Sequence, residues 1–213
     1  MEIKRNITTQ NFNNGSINRI KYIVVHYTAN NGDTALGNTN YFKNYRGSSA
    51  HYFVDENNIY QSVEDKNVAW HCGANSYKHP YCRNSNSLGV ELCSRKDSKG
   101  NYYFNDKTVD NAVELIKMLM GKYNVPIANV IRHYDVTGKN CPAPFVRDNK
   151  AWQEFKSRLE EKVVKQNIKI NGKIKTVDAI NKDGYTYIKI RGLSDILNID
   201  YDKETKLISV SVK

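Results

Sequence analysis

A chain of 213 residues suits one domain of about 160 residues with a small appendage better than two full domains. Its 39% hydrophobic content can fill a core, and its 15 tyrosines suit a surface that stacks on sugars or another polar polymer. A formal charge of +10 favours polyanions such as nucleic acid, an anionic membrane or an acidic cell wall. No run of Lys and Arg is dense enough to single out nucleic acid. No apolar run approaches the roughly 18 residues of a membrane span, so membrane insertion is not expected.

The opening Met1-Glu2-Ile3-Lys4-Arg5-Asn6 has no apolar segment behind it. The chain is therefore expected to lack a secretory signal and to be made in a cytosol. Cys72, Cys82, Cys93 and Cys141 are irregularly spaced and form no CxxC pair. In a reducing compartment that pattern predicts free thiols or one metal ligand, not a disulfide framework.

Residues 1–20 are polar and read as a lead-in loop. The β-branched run Tyr22–Thr28 is too short for a helix and predicts a buried strand, ending on His26 beside an Ala-Asn-Asn-Gly turn. Asp33 is a candidate cap for a helix running to about Tyr45. Residues 50–54 and 59–63, around the polar turn 55–58, predict a hairpin. Val68 to Gly73 opens a polar, aromatic loop to about Ser87, of a length that usually carries function.

Leu88–Leu92 predicts another central strand, with Glu91 on the face opposite Leu88, Val90 and Leu92. In a cleft, desolvation would raise the pKa of Glu91 and suit it to proton transfer; pointing to solvent, it would be an ordinary surface acid. Asn105-Asp106 precedes a helix from Lys107 to about Tyr123, with apolar residues at helical spacing. Residues 129–133 predict a strand that again ends on a histidine, His133. Asp148 is the expected cap of a last helix through Trp152, Phe155 and Leu159, closing the first domain at about Val164.

The pattern then changes. Residues 167–213 read as a small β-rich module with an Asn171-Gly172 hairpin turn, strands at 185–190 and 207–212, and a short helix between Arg191 and Leu197. It holds no histidine or cysteine, so metal chemistry is not expected there.

His133 and Cys141 flank the polar loop Thr137-Gly138-Lys139-Asn140. Two imidazoles and a thiolate, from His26, His133 and Cys141, suit one Zn²⁺ with its fourth position open. His51, His71 and His79 compete for the same role.

Five segments in order, residues 23–28, 49–53, 69–73, 86–91 and 133–142, resemble the zinc-dependent type-2 N-acetylmuramoyl-L-alanine amidases, phage endolysins among them, which are related to peptidoglycan recognition proteins. The resemblance covers about residues 20–160. It implies an α/β fold with a central mixed sheet flanked by helices, and zinc on His26, His133 and Cys141. It further implies cleavage of the amide between N-acetylmuramic acid and L-alanine in bacterial peptidoglycan. In that scheme Glu91 moves the proton, Lys139 stabilises the oxyanion, and His71 and Trp70 line the cleft against substrate.

One departure stands out. Some phage members carry a catalytic tyrosine at the position of Ala50; this chain follows the branches that use a glutamate at the position of Glu91, and His51 is then structural. The small module only weakly resembles the repeat-like domains of Gram-positive wall proteins, and binding to anionic wall polymers is its expected role. A bacterial autolysin, a recognition module that does not cut, and a nucleic-acid binder are the alternatives, and the sequence leaves the oligomeric state open.

Overall fold

The computed structural model describes residues 2–160, 163–170, 172–182, 185–202, 204–205 and 207–213. In chain order the first unit contains β1 (Ile3–Arg5), β2 (Phe12–Asn13), β3 (Tyr22–Tyr27), α1 (Ala35–Tyr41), β4 (Tyr52–Val54) and β5 (Ile59–Gln61). There follow β6 (Val68–Ala69), β7 (Ser87–Leu92), β8 (Arg95–Lys96), β9 (Tyr102–Tyr103) and α2 (Asp106–Tyr123). It ends with β10 (Val130–Arg132), α3 (His133–Thr137), α4 (Ala143–Arg147) and α5 (Asn149–Leu159). The chain separates into two compact units, residues 1–159 and 160–213.

The first unit is built on a mixed six-stranded sheet in the order β1-β5-β4-β7-β3-β10. Strands β4, β7, β3 and β10 are mutually parallel, whereas β5 runs antiparallel to β4. Parallel strands are buried on both faces, which is why β3 and β7 read as short continuous apolar runs. Ile23, Val25, Leu88, Val90 and Leu92 turn to one face and pack against α2 and α5. There the Leu115, Ile116 and Leu119 side chains of α2 meet Trp152, Phe155 and Leu159 of α5. Burial of each such large side chain contributes about 1.5–3 kcal/mol.

The opposite face of the same strands carries Val24, His26, Gly89 and Glu91. Both His26 and Glu91 lie near the C-terminal ends of their strands, and His133 follows directly on β10. In open α/β sheets the crevice beyond the carboxyl ends of parallel strands is where ligands bind.

Several expected boundaries moved. The lead-in is not all loop: β1 pairs with β5 in parallel, Ile3 opposite Ile59, and a 3-10 turn spans Ile17–Arg19. Helix α1 stops at Tyr41 and is capped by Thr34, whose hydroxyl accepts from Gly37 N–H at 3.0 Å. Asp33 is engaged elsewhere, accepting from Asn38 Nδ2 at 2.6 Å. The helix ends where it does because the Asn11 side chain binds the Phe42 and Asn44 carbonyls and the Arg46 amide, pulling residues 42–46 into a loop. His133 begins a helix rather than closing a strand, and α4 was not anticipated.

The second unit has β11 (Val163–Ile170), β12 (Lys173–Lys182) and β13 (Tyr185–Ile188) as an antiparallel sheet, then β14 (Leu197–Tyr201) paired with β15 (Ile208–Val212). Val163 and Val164 thus belong to its first strand. The expected short helix is a 3-10 turn at Ile190–Leu193, and β14 is an additional strand. The Asn171 half of the predicted turn lies outside the described residues. Val177, Ala179 and Leu193 are its buried apolar residues among those described, a small core even for a module of this size. Among the described residues of the whole chain, no helix is long and apolar enough to cross a membrane.

Candidate metal centre and cleft

His26, His133 and Cys141 converge on one point. One ligand atom from each lies within 4.8 Å of the other two, and all three residues are buried. Strand β3 delivers His26. His133 comes from the first turn of α3, whose start is fixed by Asp135: its carboxylate accepts from the Arg132 amide at 2.9 Å and pairs with the Arg132 guanidinium at 2.8 Å. Cys141 is brought back by a bond from Tyr134 N–H to its carbonyl at 2.7 Å.

His26 Nδ1 is 3.6 Å from Cys141 Sγ and 4.0 Å from Glu91 Oε1. His133 Nδ1 is buried and has no hydrogen-bond partner, and neither has Glu91 Oε2. Orphaned buried polar atoms are rare and call for an explanation. An ion and its bound water at the centre of this group would satisfy both.

The electrostatics suit that reading. Burial, then the nearby His133, His71 and Lys139, holds His26 well below the ordinary imidazole range. Burial and Lys139 bring His133 down to about 4. Both rings are therefore neutral and offer lone pairs. Burial and then Glu91 push the Cys141 thiol up to about 12, against the Tyr27 amide and Lys139, which favour the thiolate. A cation that displaces the thiol proton removes that cost.

Glu91 is recessed but not sealed, with 20% of its side chain exposed. Burial raises its carboxyl to about 8; Lys139 draws it down and Asp33 pushes it up. A carboxyl poised near neutrality can both take and return a proton. Asp33 was read only as a cap, yet it lines a cavity of about 540 Å³ together with Thr28, Tyr41 and Glu91. Its proximity to Glu91, 58 positions away, leaves no sequence signal.

On the other side of the centre lies a cavity of about 780 Å³ lined by Ser48, Trp70, His71, Asn75, His133 and Lys139, among others. Trp70 is held by its indole N–H, which donates to Asn13 Oδ1 at 2.5 Å, and Tyr45 meets it edge-on at 6.3 Å. His71 reaches the cavity with little surface, because both ring nitrogens are engaged: Nδ1 lies 3.0 Å from His26 Nε2 and Nε2 lies 3.1 Å from Ser87 Oγ.

The competing histidines serve the framework. His51 is fully buried and accepts from Gly89 N–H at 3.0 Å, with its other nitrogen 3.1 Å from the Asn67 carbonyl. His79 Nδ1 accepts from the amides of Tyr81 and Cys82, shaping a turn. The four cysteines are free and buried, and of these Cys141 alone joins the centre.

The profile described as N-acetylmuramoyl-L-alanine amidase matches residues 16–144, a span that contains every residue of this centre. A probable N-acetylmuramoyl-L-alanine amidase of Bacillus licheniformis is 35% identical over 162 residues, 71% of this chain and 44% of the relative. The amidase CwlL of the same species is 36% identical over 152 residues, 66% of this chain and 41% of the relative. The chain thus spans less than half the length of these curated relatives. Among solved structures, PlyL has a TM-score of 0.64 at 30% identity, over 75% of this chain and 98% of PlyL. The catalytic domain of XlyA has a TM-score of 0.62 at 31% identity, over 75% of this chain and 100% of that domain. The match at residues 16–144 covers more than half of the chain, and the chain belongs to the N-acetylmuramoyl-L-alanine amidase family.

Proposed function

We propose that this chain is a peptidoglycan hydrolase that cuts the amide joining N-acetylmuramic acid to the L-alanine of the stem peptide, with one Zn²⁺ held by His26, His133 and Cys141. The observation that carries the reading is the unpartnered His133 Nδ1 beside His26 and Cys141, with Glu91 4.0 Å from His26. Two imidazoles and a thiolate are a zinc donor set, and three protein ligands leave a position for chemistry. When bound, Zn²⁺ supplies Lewis acidity toward the scissile carbonyl and the attacking water.

The chain's own groups do the rest. Glu91 accepts the proton of the attacking water and returns it to the departing amide nitrogen. Lys139, exposed on the loop between Thr137 and Cys141, sets a positive charge where the carbonyl oxygen becomes an oxyanion. Trp70 supplies an oriented aromatic wall to the cavity that would receive the substrate.

Units 1–159 and 160–213 divide the work in this proposal: the first cuts and the second holds the enzyme to anionic wall polymers. A phage or prophage endolysin, made in the host cytoplasm and acting on the wall after release, fits this reading. End-group analysis of digested peptidoglycan tests it. New N-terminal alanine that disappears with a zinc chelator is expected. New reducing sugar ends would point to a glycosidase, and wall binding without new ends to a recognition protein.

A further inference from the structure

The ring nitrogens of His71 lie on a chain of hydrogen bonds whose direction can be read from its far end. Ser87 Oγ is 2.6 Å from the Arg83 carbonyl, which can only accept, so the hydroxyl hydrogen points there. With that hydrogen spent, Ser87 Oγ accepts from His71 Nε2 at 3.1 Å. A neutral imidazole has one N–H. His71 Nδ1 is then an acceptor, and His26 Nε2, 3.0 Å away, must donate to it. What remains on His26 is a lone pair at Nδ1, the nitrogen 3.6 Å from Cys141 Sγ.

We infer that Ser87 and His71 are positioning residues: they fix His26 in the tautomer and ring orientation that present Nδ1 to the metal. The inference rests on the metal-site reading above.

A second observation supports it. Strand alternation puts Ser87, Gly89 and Glu91 on the same face of β7, and the His71 ring lies flat over Gly89. A Cβ at position 89 would stand 2.6 Å from His71 Cγ. The absent side chain is what lets the ring bridge from Ser87 to His26, whose register partner is Glu91. A ligating imidazole usually gives its second N–H to a carboxylate, a carbonyl or water. Here the acceptor is another imidazole, itself oriented by a hydroxyl.

The test uses the full chain and Zn²⁺ alone, titrated against a competing chelator, with histidine ¹⁵N NMR of the zinc-free protein. His71→Ala is expected to weaken zinc binding about 10–100-fold, the usual range for loss of such a support, and to leave His26 a mixture of tautomers. His71→Asn places Oδ1 near the former Nδ1, accepts the same proton, and should bind zinc close to wild type. Ser87→Ala keeps both rings but frees His71 to reverse its hydrogen, giving a smaller loss in the same direction.

His71→Ala binding zinc as tightly as wild type would overturn the inference while leaving the metal site standing. So would His71→Asn failing as badly as His71→Ala, or a zinc-free wild type protonated at His26 Nδ1. Wild type that binds no zinc would overturn the metal site and the inference together.

Discussion

His26 and Glu91 are register partners on adjacent parallel strands, with His26 Nδ1 4.0 Å from Glu91 Oε1. Glu91→Ala should leave the zinc content unchanged and cut turnover by about 10²–10⁴, the usual worth of a general acid–base group. Zinc analysis beside a muropeptide cleavage assay checks both halves. Normal turnover would transfer the proton to another group. Tyr52 is a poor replacement, because its hydroxyl is buried against Asp65 Oδ1 at 2.5 Å.

Cys141 is the one cysteine within reach of both histidines. Cys141→Ser replaces a thiolate by a hydroxyl that stays protonated, so zinc and activity are expected to fall together. Metal content after dialysis, read against lytic rate, is the measurement. Full lysis by this variant would remove Cys141 from the centre.

Acid should unfold the zinc-free protein steeply. Burial holds His26 and His51 well below the ordinary imidazole range and His133 at about 4. Folded, these rings stay neutral as pH falls, whereas the unfolded chain protonates them below about 6.5. Glu91 acts in the opposite sense, since the folded carboxyl keeps its proton up to about 8. Between about pH 6 and pH 5 the unfolded state thus binds more protons than the folded state, and stability falls as the pH is lowered. Urea midpoints measured in chelator across that interval give the slope; a flat profile would mean the rings titrate normally.

A protein ending at Leu159 should fold and cleave, because the main core draws only on residues up to that point. It is expected to lose wall binding more than cleavage of a soluble muropeptide. Sedimentation with purified walls, compared with the soluble assay, separates the two. Equal binding by the truncated chain would assign the second unit another role.

The central strands and the long helices were legible because their apolar periodicity is local: Tyr22–Tyr27, Ser87–Leu92 and α2 each bury a pattern that a short window contains. Residues 3–5 were not, since Ile-Lys-Arg becomes a strand only through the ladder offered by β5. The end of α1 was misjudged because Asn11, more than 30 residues away, takes the carbonyls that would have continued it. At the centre, residue types pointed to the donor set, and their order to the family. The partners of His26 were invisible: His71 is 45 residues away, and which of its nitrogens faces His26 is a fact of side-chain geometry.

The parallel run of β4, β7, β3 and β10 has a consequence for how such enzymes diversify. His26 and Glu91 sit on strand ends anchored by backbone ladders, while residues 28–30 and 73–76 border the cavities. These borders can change in length or composition while the ladder between His26 and Glu91 stays in place. Under the peptidoglycan-hydrolase reading, a lineage can fit a new wall by rewriting the rim while His26 and Glu91 keep their places.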